Sequence, residues 1–326
     1  MLIEAYLLCY KQIKFVRNAT MARVAEKRII STIFVSLHLI QTFSCYYSRT
    51  MSGIMELYKD IMENKSHPIT KDWFLISGPG PVTMIIVSYL YFSLSAGPRY
   101  MKDKKPYELR IPMIVYNFIQ VLFSIYIFYE GLMAGWLYDY NYYCQPVDYT
   151  DNPLSRRMAN AVHFYFTCKL IELLDTVFFV LRKKNRQISS LHVYHHALMP
   201  ICGWIGCRFL PNGHGTLLGV INAFIHIIMY MYYMLASIGP HMNKYLWWKK
   251  YLTSLQLIQF CIIFVHTFQI FFNGCNYPVF LTFLLNFNSL VFIYLFGSFY
   301  IENYIKNKEQ KKNKTEKITK TANKME

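Results

Sequence analysis

The chain holds 326 residues, 54% of them hydrophobic, 18% aromatic and only 16% charged. The apolar residues come in long runs, each near the roughly 20 residues that cross a bilayer core, which excludes a pair of ordinary soluble domains. The net charge of +16 does not mark a nucleic-acid binder. The basic residues lie in the breaks between runs and after Tyr304, where membrane topology puts them, with a secondary use in attracting anionic ligands.

The first 28 residues mix charges with short apolar pieces, unlike a cleavable signal peptide. Ile29 to Tyr47 follows Arg23, Lys27 and Arg28 and is either a marginal extra span, weakened by Ser31, Thr32, Ser36, His38, Gln41 and Thr42, or upstream sequence with no functional part. Seven stronger spans are predicted at about 74–96, 112–136, 158–181, 190–209, 215–237, 251–273 and 278–304. Arg99, Lys102, Lys104, Lys105 and Arg110 fill the first break, and Asp139, Asp148, Asp151, Arg156 and Arg157 the second. Arg182, Lys183, Lys184 and Arg186 fill the third, Arg208 the fourth, and Lys244, Lys249 and Lys250 the fifth. The sixth break is uncharged and the tail is lysine-rich. The positive-inside rule then places the odd breaks and the tail in the cytosol, and the even breaks and residues 52–72 in the lumen.

Ionisable side chains inside a span cost several kcal/mol unless paired or facing a wet cavity, so they are functional candidates. The third span carries Lys169, Glu172, Asp175 and Thr176 in the string KLIELLDT, where spacings of three and four bring side chains together. A buried ion-pair network that only ties helices would use the same residues. The fourth span opens on HVYHH, which puts His192, His195 and His196 on one face, a pattern that packing alone does not explain. In the fifth, Asn222, His226, Met229, Tyr230 and Tyr233 share a stripe. An aromatic and Met stripe is ordinarily packing, but Asn222 and His226 make this one a candidate surface. The sixth carries Thr253, Gln256 and Gln259 in TSLQLIQ, which in isolation reads as helix-to-helix hydrogen bonding. The eight cysteines, Cys9, Cys45, Cys144, Cys168, Cys202, Cys207, Cys261 and Cys275, lack CxxC or zinc-ligand spacing, so no metal site is expected from them.

Together these strings resemble the signature boxes of the very-long-chain fatty acid elongases, the ELO family. KLIELLDT matches KxxExxDT, HVYHH matches HxxHH, HIIMYMYY matches HxxMYxYY, and TSLQLIQ matches TxxQxxQ. GPRYM at 97–101, YNFIQV at 116–121, CQPVDYT at 144–150 and FFVLRKKNRQISSLHVYHH at 178–196 agree as well. The likeness is to an insect-like member with an N-terminal extension: residues 1–50 lie outside it, 51–305 form the elongase domain, and 306–326 a lysine-rich cytosolic tail. His67-Pro68-Ile69 stands where the family has Asp-Pro-Arg, and the C-terminal NKME lacks the second lysine of a dilysine signal. Residence in the endoplasmic reticulum is therefore an expectation from the family.

The resemblance implies an all-α protein of seven transmembrane helices, six of them enclosing an acyl-chain tunnel that CoA approaches from the cytosol. It implies a decarboxylative Claisen condensation of malonyl-CoA with a long acyl-CoA, giving 3-oxoacyl-CoA, CO2 and CoA, without a cofactor. A neutral imidazole is a competent nucleophile toward a thioester, and His195 is assigned that role with His226 as partner base or orienting group. His192 and His196 would set its tautomer or assist decarboxylation. Asn222, Gln256 and Tyr230 would donate hydrogen bonds to the thioester oxygen and enolate, with Gln259 and Tyr233 in support. Lys169, Glu172 and Asp175 would fix the constellation. Lys183, Lys184, Lys249 and Lys250 are candidates for the CoA phosphates, although topology alone would also place lysines there. Cys168 has no better argument as nucleophile than as a small apolar neighbour of Lys169.

Cys144 and Cys275 both fall on the predicted lumenal side and are expected to pair. The same topology permits a glycan at Asn64, in Asn64-Lys65-Ser66, and never at Asn313. Expected partners are the two CoA substrates, membrane lipid, a second copy of the chain and other enzymes of the elongation cycle. Two other classes remain: the di-iron desaturases, which need about eight clustered histidines, and a seven-helix receptor or transporter, which leaves the boxes unexplained.

Overall fold

The structure is a computed structural model that describes residues 46–306. The expected marginal span lies outside the described residues but for its last two positions, as do Asn313 and the tail from 307 onward. The chain divides into two compact units, Met1–Lys65 and Ser66–Glu326. In the first, residues 46–59 are helical and run into a π-helical turn at Asp60–Asn64, where the Asn64 side chain donates to Asp60 Oδ1 at 2.8 Å.

In the second unit every regular element among the described residues is helical. We number them α1 Gly80–Met101, α2 Arg110–Trp136, α3 Pro153–Ile171, α4 Leu174–Leu181, α5 Ser190–Phe209, α6 Leu217–Ile238, α7 Lys249–Phe268 and α8 Val279–Tyr300. Five of them, α1, α2, α6, α7 and α8, are long and apolar enough to cross a membrane, so this is an all-α membrane protein. The α3–α4 segment and α5 fall short of that measure because they carry the ionisable boxes. Lys169, Glu172 and Asp175 interrupt the first, and three imidazoles and Arg208 the second.

Local chemistry moves two helix starts away from the sequence expectation. Pro68 and the Gly78-Pro79-Gly80-Pro81 run keep residues 68–79 irregular, so α1 begins at Gly80 rather than near 74. Asn152 caps α3 by accepting the Ser155 amide at 2.8 Å, with Pro153 in the first turn, so α3 begins five residues early. Inside α1 a π-helical turn, Phe92–Ala96, precedes Pro98, which has no amide to return to the carbonyl four residues back.

α2 and α6 pack antiparallel along their length. A methyl on Gly131, near the end of α2, would fall 2.5 Å from Val220 at the start of α6. Gly239, just past α6, lies beside the Arg110 guanidinium that opens α2. α7 packs on α8 and α3 on α5, and between them Tyr165, Met199, Phe260 and Phe292 form the middle of the core. In lipid such contacts act through close packing rather than water exclusion.

The two ends of the bundle differ in chemistry. One is basic: Lys183 Nζ donates to the Lys102 carbonyl at 2.9 Å, and the Tyr107 amide bonds Leu181 at 3.0 Å. The other carries charges of both signs, such as the Arg156–Asp151 pair, and is held by a disulfide between Cys144 and Cys275, whose Cα atoms are 5.5 Å apart. Beneath it the Asn212 side chain donates to the Asp148 carbonyl and Ser155 Oγ at 2.8 and 2.7 Å. The buried Arg208 guanidinium bonds Ser66 Oγ and the carbonyls of Lys71 and Ile76. The disulfide bridges residues 131 apart. Cys144→Ser is therefore expected to cost about 2–4 kcal/mol through loop-closure entropy, read as a lower Tm of the detergent-solubilised protein. An unchanged Tm would contradict this.

His67 is fully buried at this end, stacked on Tyr149. Its Nε2–H donates to the Asp148 carbonyl at 2.9 Å and its Nδ1 accepts from the Ile69 amide at 3.3 Å, which fixes the neutral tautomer. Burial pulls its pKa below the ordinary histidine value, against a smaller upward pull from the Asp148 carbonyl. A lowered folded pKa means that the unfolded chain binds the proton first. Stability is then unaffected above about pH 6.5 and falls as pH drops from there toward the lowered value. Thermal scans from neutral to mildly acid pH should show this slope in the native chain and lose it in His67→Gln; equal slopes in both would refute it.

Candidate active site

The boxes converge at the junction of α3 and α4. At Glu172 the helix tightens, with the Leu173 and Asp175 amides bonding the carbonyls three residues back, Leu170 and Glu172, at 3.3 and 3.1 Å. In that turn Glu172 folds onto Lys169, whose Nζ lies 2.9 and 3.0 Å from the two carboxylate oxygens. Both residues are buried, at 3% and 4% exposure. α6 supplies the third member: His226 Nδ1 is 3.2 Å from Glu172 Oε1 and 3.4 Å from Lys169 Nζ. Donation from Nδ1–H to the carboxylate leaves Nε2 of His226 with the free lone pair. The ammonium also sits 4.8 Å over the Tyr165 ring.

One turn on, Asp175 accepts the Tyr230 hydroxyl at 3.0 Å, joining α4 to α6. Thr176 Oγ1 lies 2.8 Å from His192 Nε2 and 3.0 Å from the hydroxyl of Tyr89 on α1. Ser189 caps α5 by accepting the His192 amide, so the histidine box occupies the first turns of that helix. The His192 and His196 rings lie 4.1 Å apart, and those of His195 and His196 5.3 Å.

Beside His195 lies a cavity lined mainly by apolar side chains. Its lining reaches no nearer the basic end than His195 on α5, Asn222 on α6, Gln259 on α7 and Phe292 on α8. From there it extends toward the disulfide end, as far as Leu210, Gly215 and Tyr277. Residues of α2, α3, α5, α6, α7 and α8 line it; among the described residues α1 contributes none. At the His195 end the Tyr165 hydroxyl donates to Asn222 Oδ1 at 3.1 Å, and Asn222 Nδ2 to Gln259 Oε1 at 3.4 Å.

Such a site suits an imidazole acting on the head of a long apolar molecule. Comparison with known proteins places it. The ELO family model, described as the GNS1/SUR4 family, matches residues 74–312. The chain belongs to the ELO family. It is 47% identical over 250 residues to very long chain fatty acid elongase 7 of Drosophila melanogaster, covering 76% of each chain. It is 45% identical over 267 residues to very long chain fatty acid elongase 7 of Rattus norvegicus, covering 81% of this chain and 93% of the relative. With very long chain fatty acid elongase 1 of Homo sapiens the identity is 42% over 261 residues, covering 79% and 93%. The matched stretch contains all four ELO boxes and none of residues 1–50.

Within this ELO site the residues singled out from sequence take distinct places. His195, Asn222 and Gln259 line the cavity. Lys169, Glu172 and His226 form a buried triad. His192 and His196 stand on the Thr176 side, and Tyr230 is committed to Asp175. Gln256 and Tyr233 do not border the cavity: Gln256 donates to Met229 Sδ at 3.5 Å, and Tyr233 is 38% exposed. Cys168 is buried and lies off the cavity. Lys184, Lys249 and Lys250 are exposed at the basic end near Lys183 and the Tyr300 ring. Among the described residues no three His, Cys, Asp or Glu side chains converge as a metal-ligand set.

Two residues of the site escaped the sequence reading. Tyr165 stands four residues before Lys169 on the same face, a spacing that could have flagged it. Tyr89 comes from a span with no polar pattern and left no such trace.

Proposed function

We propose that the chain is a fatty acid elongase that condenses malonyl-CoA with long acyl-CoAs, through an acyl group carried by His195. The observation that carries this is the position of His195, with Asn222 and Gln259, at one end of a largely apolar cavity in an ELO-family chain. The relatives' names supply the substrate class.

In the first stage the His195 imidazole attacks the acyl-CoA thioester carbonyl. A C–N bond forms, the C–S bond breaks, and CoA leaves as the thiol with the imidazole proton. The neighbouring amides of Asn222 and Gln259 supply hydrogen-bond donors for the developing oxyanion. In the second stage malonyl-CoA loses CO2, and the resulting enolate carbon attacks the acyl-imidazole. The C–C bond forms, the C–N bond breaks, the departing imidazole takes up a proton from water, and 3-oxoacyl-CoA leaves with neutral His195 restored. His226, oriented through Nδ1 by Glu172, presents Nε2 as the partner base, while His192 and His196 fix the box.

CoA would lie at the basic end, with its phosphates on Lys183, Lys184, Lys249 and Lys250. The orientation follows the positive-inside rule: basic end and C-terminus in the cytosol, disulfide end in the lumen of the endoplasmic reticulum, where disulfides persist. A second copy of the chain and the enzymes that reduce and dehydrate the 3-oxo product are the proposed protein partners.

The test is the purified chain with stearoyl-CoA and malonyl-CoA labelled at the free carboxyl. Acyl-CoA-dependent release of labelled CO2, with a 3-oxoacyl-CoA two carbons longer, is expected. Absence of both products would overturn the reading.

A further inference from the structure

Several glycines border the cavity, and they are not equivalent. A Cβ on Gly131 would lie 2.5 Å from Val220, and one on Gly215 would lie 2.6 Å from the Tyr277 hydroxyl, so these glycines permit close packing. A Cβ on Gly206 would meet no heavy atom within 4 Å. Gly206 is nevertheless part of the cavity wall. It also lies in the interior of α5, where glycine costs about 1 kcal/mol relative to alanine. A side chain there would enter the cavity without displacing the wall.

Its depth follows from the helix. Gly206 comes eleven residues after His195 in the same helix, about 16 Å along the axis at 1.5 Å per residue. An extended hydrocarbon with C–C bonds of about 1.52 Å advances about 1.25 Å per carbon. An acyl group starting at His195 would therefore pass Gly206 at about its thirteenth carbon. Leu210, a further turn along, also lines the cavity.

We infer that Gly206 is a specificity-determining residue: its missing side chain opens the far part of the cavity to acyl chains longer than about thirteen carbons. This rests on the proposed reading of His195 as the acyl anchor. Chains that end before Gly206 do not use that space, whereas longer chains must pass it.

The experiment compares the full-length chain with Gly206→Leu, using decanoyl-CoA and stearoyl-CoA. Turnover of decanoyl-CoA should stay within about threefold, while that of stearoyl-CoA should fall about 10- to 200-fold, the range a mis-sized apolar pocket gives. Leucine is a better helix former than glycine, so the fold is not put at risk. Gly131→Ala is the contrast: crowding Val220 should lower Tm and depress turnover of both substrates together. A second arm needs no turnover. Stearoyl-CoA should raise the Tm of the native chain and not of Gly206→Leu, whereas decanoyl-CoA should raise both alike. Equal losses on the two substrates, or no loss on stearoyl-CoA, would overturn the role of Gly206. If the native chain turns over neither substrate, the proposed reaction fails, and the Tm arm still decides whether long chains pass Gly206.

Discussion

Replacing His195 by alanine is expected to abolish condensation by at least ~10³-fold, because the group that carries the acyl chain is then gone. The half-reaction makes the prediction specific. Native enzyme given stearoyl-CoA without malonyl-CoA should release CoA and retain one acyl group per chain, seen as a mass increase on the peptide containing HVYHH. His195→Ala should do neither. Of the four box histidines only His195 lines the cavity. His226 is bound to Glu172 and His192 to Thr176, so their ring nitrogens are partly committed. Loss of His226 should also be severe, since it removes the partner base of both stages, but an acyl adduct should still form slowly on His195. Gln259→Ala should be milder, on the order of 10²-fold, as for one lost oxyanion donor. Cys168 is buried away from the cavity, and Cys168→Ser is expected to keep the adduct. Trapping by His195→Ala together with none by Cys168→Ser would move the nucleophile to the cysteine.

Much of this site could be read from spacing, and the part that could not has a common cause. Residues three and four apart on one helix are neighbours by geometry, so HVYHH already placed three imidazoles together. Spacing within a helix does not give the rotation of one helix against another. TSLQLIQ offers Gln256 and Gln259 alike, and only the packing of α7 against α6 sets Gln259 beside Asn222 at the cavity and Gln256 on Met229. The tightened turn at Glu172 is the second case. KLIELLDT reads as one continuous helix in which Lys169 and Glu172 meet by spacing, and they do, yet the helix tightens at Glu172 and restarts at Leu174. That shift lets Asp175 and Thr176 reach Tyr230 and His192. The disulfide end was legible as topology, through a cysteine pair on one side of the membrane. His67, by contrast, registered only as a departure from Asp-Pro-Arg, because its partner Asp148 is far away in sequence.

The Lys169–Glu172 pair should separate stability from chemistry. Both side chains are almost fully buried, and each balances the other's charge. Removing one partner leaves an uncompensated buried charge, so Lys169→Met or Glu172→Met alone is expected to cost about 3–5 kcal/mol. Replacing both by methionine removes the two charges together. Buried ion pairs replaced by apolar residues of similar volume are often neutral in stability, so the double variant should recover most of the loss of either single one. Activity should not recover with it. Glu172 also holds His226 through Nδ1 at 3.2 Å, and without the carboxylate the imidazole loses the partner that fixes its tautomer. The double variant should therefore fold with a Tm near that of the native chain and still elongate at least ~10²-fold more slowly, as expected when a general base is lost. Glu172→Gln refines the point: a neutral amide accepts a hydrogen bond from His226 without its charge, so partial activity is expected there and none in Glu172→Met. If the double variant proved no more stable than the single ones, the pair would not be a balanced ionic unit. If it elongated at the native rate, neither Lys169 nor Glu172 would act through His226, and the triad would be a helix tie alone.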